Sequence, residues 1–296
     1  MRDHTGHSQA SENYSGRNLS VAFFLNLAFT IVEFIGGAVA NSMAIFSDAL
    51  HDLGDVFSLG MAWILERVSK KKRTQSFSYG YRRFSLLAAL LNAAILIGGS
   101  AVIAAHAIPR VFDPGEPDAK GMLFFAIAGI VFNGAAALVL KRGRSLNERV
   151  ASLHLLEDVL GWAAVLVGAG IMMFFDIPEL DPVLSLFIAG YILYNAGKAL
   201  TSALKLMLQA VPGEVEIREI ERSLMEIEGV KSVRDTHIWS LDGRYNVLTV
   251  RLSLEEASVE KMMRIKSQAR RVAREQNIQH TTIEIGFDEE DCEMNG

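Results

Sequence analysis

Cysteine is nearly absent: Cys292 alone occurs in 296 residues. An intrachain disulfide is therefore excluded, and so is a zinc site built on several thiolates. Charge is sparse, with 21% Asp, Glu, Lys and Arg, and the net charge of -5 is modest. There is no His-Glu-x-x-His helix motif, which argues against a zinc protease. There is no Gly-x-x-x-x-Gly-Lys loop either, so ATP-driven chemistry has no support. Residues 1–14 contain no apolar core of the kind a cleaved signal carries.

What the chain does have is apolar residues in blocks. Half of it is hydrophobic, at a mean hydropathy of +0.24, and the long runs fall between residues 19 and 210. Crossing a bilayer takes about 20 mostly apolar residues. Six segments qualify: 19–40, 42–65, 84–108, 119–141, 149–175 and 182–208. The second is the least apolar because it holds Asp48, His51, Asp52 and Asp55, yet it continues as VFSLGMAWIL. The expected organisation is a polar tail (1–16), a six-helix transmembrane domain (17–210), a soluble domain (211–288) and an acidic tail (289–296).

The connections set the orientation. Arg67, Lys70, Lys71, Lys72, Arg73, Arg82 and Arg83 lie between helices 2 and 3, and Lys141, Arg142, Arg144 and Arg149 between helices 4 and 5. The alternate connections carry Asp113, Glu116, Asp118, Asp176, Glu179 and Asp181. By the positive-inside rule both termini face the cytoplasm, with the basic loops against anionic lipid rather than nucleic acid. Beyond Pro212-Gly213 the pattern changes. Helical spacing over 214–227, alternation over 230–240 and 246–254, helical spacing over 259–276 and a last strand at 280–287 predict a small αββαβ domain of the α+β class.

The chemistry is concentrated in two membrane segments. In SDALHDLGD, Asp48, His51, Asp52 and Asp55 stand at i, i+3, i+4 and i+7, on one helix face. In HLLED, His154 and Asp158 stand at i and i+4. Ionisable residues inside a membrane are costly to bury and mark function. Two His-x-x-x-Asp pairs on different helices can supply two nitrogens and two oxygens, a tetrahedral set suited to zinc. Asp48, Asp52 and Glu157 are expected to support those ligands or line the path to them.

These motifs resemble the cation diffusion facilitator family of zinc and divalent-metal exporters. FSYGYRRFSLLAALLNAAIL (Phe77 to Leu96), Ser145-Leu146-Asn147 and RDTHIWSL (Arg234 to Leu241) extend the likeness over residues 15 to 290. The resemblance implies six transmembrane helices, a metallochaperone-like cytoplasmic domain, a homodimer in the plasma (inner) membrane, and metal–proton antiport with zinc as transported substrate and no organic cofactor. Cobalt, cadmium, iron or manganese are the alternative cargoes. An intramembrane metalloenzyme and a metal sensor are the competing classes. The chain also departs from the family. Ser85 stands where members often carry Glu, and the loops at 67–83 and 141–149 lack histidine. Arg234 and Arg251 occupy strand positions where zinc-binding members carry histidine. Guanidinium groups cannot ligate zinc, so the cytoplasmic domain is expected to bind zinc weakly or not at all, with His237, His280 and Glu284 as possible relocated ligands.

Overall fold

The computed structural model describes residues 6–69, 73–141, 146–175, 177–254 and 258–286. The expected acidic tail at 289–296, and the basic residues Lys70, Lys71, Lys72, Arg142 and Arg144, lie outside these. Six long helices come first: α1 (Gly6–Val39), α2 (Met43–Ser69), α3 (Phe84–Phe112), α4 (Ala119–Lys141), α5 (Leu146–Phe175) and α6 (Leu180–Met207). All six expected spans are helical. The largest difference lies at the front: α1 begins at Gly6 rather than 19, because the polar stretch GHSQASENYS contains no proline and extends the helix beyond its apolar part.

The helical unit is apolar outside as well as inside. Phe124, Leu160, Val167, Phe187 and Tyr194 are largely exposed on it, which suits contact with lipid rather than water. Among the described residues, three helices, Phe84–Phe112, Leu155–Phe175 and Leu180–Met207, are long and apolar enough to span a membrane by length and composition alone. Shorter apolar stretches occupy Phe23–Val39 and Ala119–Ala135. α2 owes its lower hydropathy to the acids it buries. Inside, one cluster joins α2, α4 and α5 through Ala44, Ile45, Met122, Ala126, Trp162 and Val165, with Phe29 of α1 packed against it. A second joins α2, α3 and α6 through Met43, Leu50, Ile103, Ala107 and Ala189. Small residues set the spacing: a Cβ at Gly129 of α4 would overlap the buried Trp162 indole of α5, so those two backbones approach closely. α1 turns into α2 through Asn41, whose φ of 49° is the left-handed conformation common after a helix end.

The second unit comprises residues 72–87 and 201–296. Its order is α7 (Ile217–Met225), β1 (Val230–Ser240), β2 (Asn246–Leu254), α8 (Val259–Glu275) and β3 (His280–Gly286), the expected αββαβ arrangement. β1 and β2 pair antiparallel, and β3 adds parallel to β2 after the α8 crossover. α7 and α8 cover one face of the sheet. Ile220, Leu224, Ile265, Ala269 and Ala273 meet Ile238, Leu248, Val250 and Leu252 there in a closed apolar core. The segment before α3 docks on this domain. Arg82 reaches Asp242 at 3.1 Å and lies 4.4 Å over the Tyr245 ring, while Tyr79 packs edge-on against His280 at 5.6 Å.

Candidate metal site

α2 and α5 carry the site residues. The i, i+4 spacing of His51 and Asp55 stacks both side chains on one α2 face, where His51 Nε2 lies 3.8 Å from Asp55 Oδ2. Across the helix interface, His51 Nε2 lies 4.0 Å from Asp158 Oδ1 of α5. One ligand atom from each of His51, Asp55 and Asp158 falls within 4.8 Å of the other two, the one such group of three among the described residues. That spacing suits donors around a common ion: zinc bonds of about 2.0–2.2 Å place tetrahedral ligand atoms somewhat over 3 Å apart. The side-chain exposures, 27% for His51 and 24% for Asp55 against 7% for Asp158, describe a pocket closed on its α5 side and partly open along α2.

His154 sits on α5 one turn before Asp158, and its side chain lies outside the described residues. The backbone puts His154 and Asp158 on one helix face, as the i, i+4 spacing requires.

The neighbouring acids divide. Asp48 and Asp52 are buried beside the site, in keeping with a supporting place. Glu157 of α5 is exposed, unlike the adjacent Asp158. Glu33 of α1 was missed by the sequence reasoning. It is 1% exposed and within electrostatic reach of Asp52, Asp48 and Asp158. Its signal was available as a lone acid in the apolar run AFTIVEFIGG. Asp181, expected in a loop, stands instead in the first turn of α6 and is buried.

In the C-terminal domain, Arg234, Arg251 and Glu284 share one row across the three strands. Arg251 Nε lies 3.9 Å from Glu284 Oε1. The relocated candidates do not converge. His237 faces Thr249, His280 faces Val247, and Glu284 faces Arg251. His237 bonds Asp235 at 2.6 Å where β1 is irregular, and His280 packs on Tyr79. The isolated domain, residues 212–286, is expected to fold without metal and to show no zinc binding tighter than about millimolar, the range where binding free energy is only about 4 kcal/mol. Calorimetric titration checks this, and micromolar binding lost on His237→Ala would refute it.

Long helices with apolar exposed faces around a half-buried cluster of one histidine and two carboxylates are the features of a multi-pass membrane protein. Sequence comparison identifies which. The cation efflux transmembrane domain matches residues 19–208 and the cation efflux cytoplasmic domain matches residues 212–286. The chain belongs to the cation diffusion facilitator family and is a transporter, not an enzyme. It is 32% identical to the metal cation efflux system protein CzcD of Cupriavidus metallidurans over 98% of this chain and 92% of that one. It is 30% identical to a cadmium, cobalt and zinc/H(+)-K(+) antiporter of Bacillus velezensis, over 95% and 91% of the two chains. The zinc transporter ZitB of Shigella flexneri is 29% identical over 97% and 94%. Divalent metal cation efflux is thus the activity of the chain, with the metal ion as its cargo.

Proposed function

We propose that the chain exports zinc in preference to other divalent ions, in exchange for protons, through a site formed by His51, Asp55, His154 and Asp158. The observation that carries this reading is the convergence of His51, Asp55 and Asp158 from two membrane helices within 4.8 Å. Nitrogen and carboxylate donors without thiolate favour a borderline ion such as zinc. The names of the relatives agree, since each includes zinc or metal cation efflux.

Ligand chemistry supplies the coupling. A histidine nitrogen or carboxylate oxygen binds metal only after losing its proton, so metal and protons compete for the same atoms. At the less acidic cytoplasmic face deprotonated ligands capture the ion. At the more acidic outer face protons displace it. Export is driven by inward proton flow. Basic connections at 67–83 and 141–149 support an orientation with both termini in the cytoplasm, and the proposed location of the helices is the plasma membrane. The C-terminal domain holds two copies together, a role that its family match to a cytoplasmic efflux domain supports.

The test uses purified protein in sealed vesicles with an acidic lumen and zinc outside. Zinc is expected to accumulate, the lumen to become more alkaline as it does, and a protonophore to stop both. Zinc accumulation that ignores the pH gradient and leaves lumenal pH unchanged would overturn proton exchange.

A further inference from the structure

The start of α2 is held by a side chain from another helix. The first amides of any α-helix lack intrahelical partners. Here Ser42, just ahead of α2, accepts from the Ile45 amide at 3.2 Å, an ordinary cap of its own helix. The two amides before Ile45 go elsewhere. Met43 N donates to Asp181 Oδ2 at 2.7 Å and Ala44 N to Asp181 Oδ1 at 3.2 Å. The Ser42 hydroxyl donates to Asp181 Oδ1 at 2.5 Å. Asp181 thus gathers two donors from α2 and a third from Ser42 just ahead of it while standing in the first turn of α6, and it is 1% exposed. One turn further along, Ser47 Oγ meets Ser185 Oγ at 2.7 Å and donates to the Met43 carbonyl at 3.0 Å. All four side chains, Ser42, Ser47, Asp181 and Ser185, are buried. A carboxylate at a helix N-terminus also meets the positive end of its dipole.

The consequence lies along α2. Ser47 precedes His51 by one helical turn, and the capped amides are about 12 Å from His51 at 1.5 Å rise per residue. A rigid helix fixed in rotation and height at its start is fixed at His51 and Asp55 too. α6 itself supplies none of the proposed ligands. We propose that Asp181 is a positioning residue for the metal site: it sets the height and rotation of α2 so that His51 and Asp55 meet the ligands of α5. This rests on the site reading given above. Asp181 acts as a hydrogen-bond acceptor for the α2 N-terminus, not as a metal ligand.

The acceptor role separates the outcomes. Zinc flux is measured across a concentration series in vesicles containing the full chain, for the parent, Asp181→Ala, Asp181→Asn, Ser42→Ala and the Ser42→Ala/Asp181→Ala double variant, with His51→Ala as the reference for the site. Loss of a group that orients a ligand typically weakens metal affinity by about 10- to 100-fold. Asp181→Ala is therefore expected to raise KM for zinc at least about tenfold, with Vmax and the amount of folded protein within about twofold of the parent. Asp181→Asn keeps one capping oxygen, enough for the Ser42 hydroxyl and the Ala44 amide, but sets an NH2 against the Met43 amide, and is expected to recover only part of the loss. The double variant is expected to lose less than the sum of the two single losses, since the Ser42–Asp181 contact is removed by either change while the Ile45 cap is lost only with Ser42. An unchanged KM with lower Vmax or less folded protein would make Asp181 only a brace and overturn the proposal. So would an Asn variant as poor as Ala combined with additive losses in the double variant, which would mean that Asp181 works through its charge. If Asp181→Ala fails to accumulate, Asp181→Asn and Ser42→Ala carry the same comparison. An inactive His51→Ala beside an unmoved Asp181→Ala overturns this inference alone, whereas a fully active His51→Ala overturns the site reading beneath it.

Discussion

Asp158→Ala is expected to reduce zinc flux to the level of protein-free vesicles while the chain still inserts and dimerises. Asp158 is the most buried of the three converging residues, with 7% of its side chain exposed. Its carboxylate is the one from α5 that faces His51. Removing it leaves the α2 pair without its partner across the helix interface. The cavity that results is small and lies between helices already closed by Trp162, Val165 and Ala169, so folding is expected to survive. Loss of a primary ligand should cost more than the roughly 10- to 100-fold seen when a supporting residue is removed. Initial-rate flux, scaled to the protein incorporated, checks this. A rate within threefold of the parent would remove Asp158 from the site.

His51→Asp is expected to retain transport but change the ion preferred. The substitution exchanges one nitrogen for an oxygen and adds a negative charge. Oxygen-rich sites suit manganese, while zinc gains most from imidazole. The larger cadmium ion also tolerates an additional carboxylate. The ratio of zinc to manganese uptake under competition should fall about tenfold, a change of about 1.4 kcal/mol in relative affinity, and the zinc-to-cadmium ratio should fall in the same direction. Since Asp55 and Asp158 both lie within 4.0 Å of His51, a third carboxylate there would also repel its neighbours when no ion is bound. The variant is therefore expected to need a divalent ion for full thermal stability more than the parent does. Unchanged ratios would mean that position 51 does not touch the ion.

The architecture could be read from the sequence because its determinants are local. Apolar blocks locate the spans, and alternation with turn residues locates the strands: β1 and β2 have the predicted ends, Val230–Ser240 and Asn246–Leu254. The α2 candidates were legible for the same reason, since helical periodicity alone puts His51 and Asp55 on one face. Interactions between distant segments were not legible. Asp181 looked like one of three acids marking a loop, and only the approach of α6 to α2 turns it into a cap. Glu33 stood alone in an apolar run with no periodic companion, and its meaning depends on α1 packing beside α2. Glu157 differs from its neighbour Asp158: adjacent residues on a helix point about 100° apart, so one is exposed and the other buried, a difference that sequence adjacency does not show. The polar start of α1 was misjudged because hydropathy reports where a helix crosses lipid and not where it begins.

The central claim is that the cargo is held by imidazole and carboxylate groups between α2 and α5. Zinc-edge X-ray absorption on the purified full-length chain with one equivalent of zinc tests it most directly. The account predicts a four-coordinate shell of nitrogen and oxygen at about 2.0–2.1 Å with imidazole outer-shell scattering and no sulfur, and loss of that spectrum in Asp158→Ala. A sulfur shell, a six-coordinate shell of oxygen alone, or a spectrum unchanged in Asp158→Ala would contradict it.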